Sequence, residues 1–131
     1  MIGLDTNVLV RYIMQDDPKQ SPKATRLVES LTSEQPGFVP LVAVVELVWV
    51  LSSSYGLSKD QLVEALDLLL RSKEIVVDRA DLVLQAQRRF AKGGADFSDC
   101  LIERIAQAQG CQTTMTFDTR AAKAAGMTLV E

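Results

Sequence analysis

Three aspartates in this chain sit where a predicted strand hands over to a helix or where a helix opens, and one glutamate interrupts an apolar stretch. Asp5 follows Ile2-Gly3-Leu4, and Asp118 follows Thr116-Phe117. Asp99 stands in Asp96-Phe97-Ser98-Asp99-Cys100-Leu101-Ile102, and Glu46 lies within the apolar residues 41–51. In a parallel α/β sheet the carboxyl ends of the strands share one edge, and ligands bind in the crevice there. Four carboxylates gathered at such an edge repel one another unless a cation holds them. A hard divalent ion, Mg²⁺ or Mn²⁺, is the candidate, because oxygen donors suit it.

Other chemistries are excluded by composition. The chain has no histidine, which removes Ser-His-Asp and Cys-His catalysis and imidazole metal ligation. Its two cysteines, Cys100 and Cys111, form no CxxC or Cys/His cluster, so no zinc site is expected. Both thiols are expected to pack as small buried hydrophobes. The formal net charge of -3 is not the bulk signature of a nucleic-acid binder. If Asp5, Glu46, Asp96, Asp99 and Asp118 line one site, however, they use five of the 17 acids, and the remaining 14 positive and 12 negative charges leave +2. Composition therefore neither supports nor excludes a polyanionic substrate.

The 131 residues fit a single domain, 1–131, with one core. The longest apolar run is too short to span a bilayer, and no signal peptide precedes the first strand, so no membrane association and a cytoplasmic location are expected. Residues 1–4, 38–39, 74–77, 113–117 and 127–130 read as strands. Helices are expected over 6–14, 21–33, 40–55, from Ser58 with apolar positions Leu62, Leu66, Leu69 and Leu70, over 81–92, from Asp96 or Ser98 to Gly110, and over 119–125. Ser58 with Gln61 three residues on is a capping box. This alternation predicts an α/β three-layer sandwich with a four- or five-stranded parallel sheet.

Helix capping is the ordinary explanation for Asp5, Asp96 and Asp118, since aspartate is a preferred cap. Asp99 would then be an acid in a first turn, favoured by the helix dipole. Glu46 lies mid-helix, where capping cannot explain it. Burying it unpaired would cost several kcal/mol, of order 2–7 even for a neutral polar group. It either pairs with a buried cation, faces solvent on a helix apolar all round, or lines a polar cleft with a metal; the last is the expectation.

The set Asp5-Thr6-Asn7, Glu46, Asp96-Phe97-Ser98-Asp99 and Thr116-Phe117-Asp118 resembles the PIN-domain ribonucleases, and in particular the VapC-type toxins of bacterial toxin–antitoxin pairs. The resemblance covers nearly the whole chain. It implies a metal-dependent endoribonuclease with an acidic quartet of Asp5, Glu46, Asp99 and Asp118. Mg²⁺ or Mn²⁺ would be held by Asp5, Asp99 and Asp118. Asp96, Thr6, Asn7 and Thr116 would support the site. RNA is the implied substrate, a VapB-type antitoxin the implied partner, and a homodimer the implied assembly. One departure is Cys100, where an alanine would be more usual.

Arg11, Arg88, Arg89, Lys92, Arg120 and Lys123 are candidates for phosphate contacts. For Arg88, Arg89 and Lys92 the plainer explanation is a last helical turn whose dipole they complement. Few aromatic residues are present, so base stacking is expected to be limited. Two rival enzymes or switches fit poorly: a haloacid-dehalogenase-type phosphatase wants D-x-D, where Asn7 stands, and a receiver domain wants a lysine at the end of a late strand. The remaining rival is a binding module whose acids merely cap helices, which an exposed Glu46 would favour.

Overall fold

A computed structural model describes residues 1–131 as two compact units, Met1–Asp78 and Arg79–Glu131. In the first unit, β1 (Ile2–Gly3), β2 (Gly37–Val39) and β3 (Ile75–Val77) form a parallel sheet in the order β1-β2-β3. Parallel neighbours need crossover connections. Helices α1 (Thr6–Met14) and α2 (Gln20–Glu29) link β1 to β2, and α3 (Leu41–Ser53) and α4 (Lys59–Arg71) link β2 to β3.

Local chemistry sets these ends. Ser58 accepts the Gln61 N–H while the Gln61 side chain accepts the Ser58 N–H, so α4 opens on the expected capping box. Helix α3 closes where Gly56, at φ +64, turns the chain back, and the N–H groups of Gly56 and Leu57 satisfy the carbonyls of Ser52 and Leu51. Helix α2 stops at Glu29, short of the expected 33. There Ser30 donates its hydroxyl to the Leu27 carbonyl at 2.6 Å, and the hydroxyl-rich 30–33 segment competes with the helix for backbone groups. The core of this unit is aliphatic: Leu4, Leu9, Val39, Val44, Leu47 and Leu66 are all buried. Each such side chain contributes about 1.5–3 kcal/mol when fully buried.

In the second unit, α5 (Ala80–Lys92) packs on α6 (Phe97–Ala108). Phe90 and Phe97 meet edge to face, ring centroids 6.1 Å apart, beside buried Leu82, Val83, Cys100 and Leu101. Strands β4 (Met115–Thr116) and β5 (Thr128–Leu129) then form a parallel pair crossed over by α7 (Thr119–Ala124). Gly126, which follows α7, sits at φ +81, and a Cβ there would run into the Arg89 guanidinium. Within each unit the strands pair in parallel, as a three-stranded sheet in the first and a two-stranded sheet in the second.

One packing expectation is corrected. Cys100 is buried, but Cys111 is exposed just beyond the end of α6. No helix is long and apolar enough to cross a membrane.

Candidate active site

Asp5 leaves β1 at its carboxyl end and takes the N-cap position of α1, its Oδ1 accepting the Thr6 N–H at 2.8 Å. The capping role is therefore real, but Asp5 remains exposed, with its other oxygen free of protein donors. Thr6 beside it is buried, at 3% exposure, and its Oγ1 has no hydrogen-bond partner. A buried hydroxyl without a partner is costly, of order 1–3 kcal/mol. Asn7 is exposed and lines a cavity of about 270 Å³ between α1 and α2.

Sequence reasoning missed Asp78, although Val76-Val77-Asp78 repeats the strand-then-aspartate pattern. The register pairs Gly3 with Phe38 and Phe38 with Val76. Two residues on, Asp5, Pro40 and Asp78 therefore form the next row, with Asp5 and Asp78 two strand spacings apart, roughly 10 Å. Asp78 has a structural task. Its Oδ2 accepts the Leu41 N–H at 3.2 Å, capping the helix start that Pro40 cannot cap with its own side chain.

Glu46 differs from expectation. It is exposed on α3, flanked at helical spacing by Val42 and Trp49, which are 80% and 65% exposed. The core-facing side of α3 is instead Ala43, Val44, Leu47, Val48 and Leu51. A helix apolar on every side hid which side the core takes. Glu46 is therefore not buried, contrary to the expectation, and carries no burial cost.

In the second unit three acids converge. Asp96 stands in the N-cap position of α6, yet its carboxylate accepts no hydrogen bond from the helix. Asp99, in the first turn, is half-buried. Burial, and then the negative charges of Asp96 and Asp118, hold its carboxyl above the ordinary aspartate range, with Arg120 opposing them. The α6 dipole pulls the other way, so burial and like charge outweigh it. Asp118 caps α7, accepting the N–H groups of Arg120 at 2.8 Å and Ala121 at 3.3 Å. Its own N–H donates to Thr116 Oγ1 at 3.0 Å, so Thr116 fixes the turn that presents it. Arg120 donates to the Gly94 carbonyl at 2.9 Å and stands 3.9 Å from Asp96. Phe117, between Thr116 and Asp118, is 84% exposed, an aromatic face that composition alone gave no reason to single out.

In neither unit are three acidic or cysteine side chains drawn close enough to form a ready-made metal cage. The donors nonetheless suit a hard divalent ion. Mg²⁺ keeps most of its waters and takes only one or two carboxylates directly. Asp99 is destabilised as an anion by its neighbours, and Asp96 spends no oxygen on its helix. A cation relieves both conditions. Cys100, beside Asp99, is pushed upward in pKa mainly by burial, which leaves it an inert packing group.

Parallel strand-to-aspartate turns, with acids at the starts of α6 and α7, define an acidic-site α/β protein, and comparison with known families gives its class. The model of the PIN domain matches residues 2–127, so the chain belongs to the PIN domain family. A relative in Aquifex aeolicus (strain VF5), named VapC ribonuclease, is 24% identical over 117 residues, covering 89% of this chain and 87% of the relative.

Proposed function

We propose that this chain is a metal-dependent endoribonuclease of the VapC toxin type, acting in the cytoplasm and neutralised by a VapB-type antitoxin. The observation that carries the reading is the PIN domain match over residues 2–127, on a chain whose α6 and α7 start at Asp96, Asp99 and Asp118. The named ribonuclease relative adds the substrate class. In this reading residues 1–131 work as one domain with one sheet of four or five strands and a helix layer on each face. Asp5 and Glu46 join Asp99 and Asp118 in one acidic site that takes one or two ions, and a homodimer is the assembly.

Asp5, Asp99 and Asp118 would hold Mg²⁺ or Mn²⁺, Asp5 and Asp99 directly and Asp118 through water or on a second ion. Such an ion, when bound, supplies a nucleophilic water at neutral pH and polarises the phosphoryl group. The chain's own residues do the rest. Glu46, exposed on α3, would orient the attacking water and accept its proton. Thr116 holds the Asp118 turn rigid, and Arg120 keeps Asp96 from adding its full charge. Thr6 and Asn7 orient waters beside Asp5.

One observation favours a second reading. The exposure of Glu46 is what a non-catalytic binding module predicts. Incubating the purified chain with total RNA, with Mg²⁺ or with EDTA, separates the two. The ribonuclease cuts RNA with Mg²⁺ and stops in EDTA. The binding module turns over nothing, and a phosphatase would instead release phosphate from small monoesters.

A further inference from the structure

We propose that a cationic cleft formed by α5, α6 and α7 binds backbone phosphates of single-stranded RNA on one side of the bond that is cut. The inference rests on the ribonuclease reading and adds a subsite to it.

The cleft has a volume of about 580 Å³ and is lined by Arg88, Arg89, Lys92, Arg104 and Lys123. The dipole of α5 accounts for the three cations in its own last turns. It does not account for Arg104 on α6 or Lys123 on α7, which converge on the same space. Two of the five have structural partners. Arg104 is clamped by buried Glu103 at 2.7 and 3.1 Å, and the half-buried Arg89 guanidinium fills the space beside Gly126. They form a fixed floor. Arg88, Lys92 and Lys123 are exposed and stand in no ion pair, so their mutual repulsion is unrelieved by protein. An anion relieves it.

The position identifies which anion. Helix α7 carries Asp118 at its start and Lys123 five residues on, a rise of ~7.5 Å. That rise is on the order of the spacing between neighbouring phosphates of a single strand. A strand whose cut phosphate meets Asp118 therefore brings a nearby phosphate over the cleft. Gln85, Gly93 and Ala124 complete the lining, with no aromatic side chain to stack a base. Contacts there are to the backbone and carry no sequence preference. An acidic protein segment shares the charge but not the reason for lying beside Asp118.

The test uses the full chain carrying Asp99→Asn, so that RNA survives, with and without Arg88→Gln, Lys92→Gln and Lys123→Gln together. All three are surface positions, and circular dichroism with a melting curve checks the fold. Binding of a short labelled single-stranded RNA is followed by anisotropy over a salt series. At ~0.7 per lost phosphate contact on a single strand, the plot of log affinity against log salt should become shallower by about 2. The loss should be equal for RNAs of different sequence. With Asp99 intact, the triple variant should raise KM and leave kcat unchanged. An unaltered salt slope and KM in a variant whose parent cuts RNA overturns the cleft and leaves the ribonuclease standing. A polyglutamate peptide that binds the parent more tightly than RNA does, and is lost in the variant, also overturns it. A parent that neither binds nor cuts any RNA overturns the cleft and the ribonuclease reading together.

Discussion

The negative charge of Asp118 bears on Asp99, helping to hold the Asp99 carboxyl above the ordinary aspartate range, while the same Asp118 carboxylate caps α7 through the Arg120 and Ala121 N–H groups. One residue thus builds a helix start and loads charge onto its neighbour. The first task is structural and the second destabilises the ion-free fold.

The pH dependence of stability follows from that charge. The folded form of Asp99 binds its proton more tightly than the unfolded chain does. Its stabilising contribution is therefore complete below the ordinary aspartate pKa and is lost as pH rises through the raised value. Asp99→Asn, which resembles the protonated form, should melt higher than wild type at neutral pH without divalent ions. The difference should vanish at pH values below the ordinary aspartate range. Thermal melts of both proteins across the acid range check this, and a neutral-pH wild type as stable as the variant contradicts it.

Asp118 allows its two roles to be separated. Asp118→Asn keeps an acceptor for the Arg120 and Ala121 N–H groups and should retain the fold. Asp118→Ala removes the cap, and should cost about 1 kcal/mol as cap losses do. Both should lose RNA cleavage. Denaturant titration beside an RNA assay distinguishes them, and an Asn variant that is fully active removes Asp118 from the site.

Divalent ions should raise the melting temperature of wild type, since an ion that binds only the folded state stabilises it by ~2.7 kcal/mol at a hundred times its dissociation constant. EDTA should reverse the rise, and Asp5→Asn or Asp99→Asn should abolish it. Differential scanning calorimetry with Mg²⁺ or Mn²⁺ at millimolar levels makes the measurement. A midpoint that neither ion moves counts against metal binding.

Much of this was legible in the chain because short local signals decide it. The Ser58 and Gln61 pair fixed the start of α4, and strand-then-aspartate turns marked Asp5 and Asp118 at the sheet edges. Glu46 was misjudged because α3 has almost no polar side to orient it, so its sequence names no core-facing stripe. Asp78 was missed because its partner, the Leu41 N–H, lies 37 residues away across β2 and β3. The Glu103–Arg104 clamp was equally invisible, since only packing of α6 shows that Glu103 is buried. Spacing reports neighbours along an element, whereas burial is decided by elements far apart in sequence.

Glu46 provides a sharp test because it is exposed. Surface substitutions away from special features change stability by no more than about 0.5 kcal/mol. Glu46→Gln should therefore melt like wild type, and any loss of cleavage reports chemistry rather than folding. Full cleavage by this variant would remove Glu46 from the mechanism and leave it on the exposed face it shares with Val42 and Trp49.

The central claim is that the acids of α6 and α7 cut RNA through a divalent ion. Single-turnover cleavage of structured RNA, with Mg²⁺ and with EDTA, by wild type and by Asp99→Asn tests it most directly. Loss of one electrostatic stabiliser of a transition state typically costs ~10²–10³ in rate. The account predicts cleavage by wild type with Mg²⁺, none in EDTA, and a loss of that size in a fully folded Asp99→Asn. Wild type that leaves RNA intact with Mg²⁺, or Asp99→Asn that cuts at the wild-type rate, would contradict it.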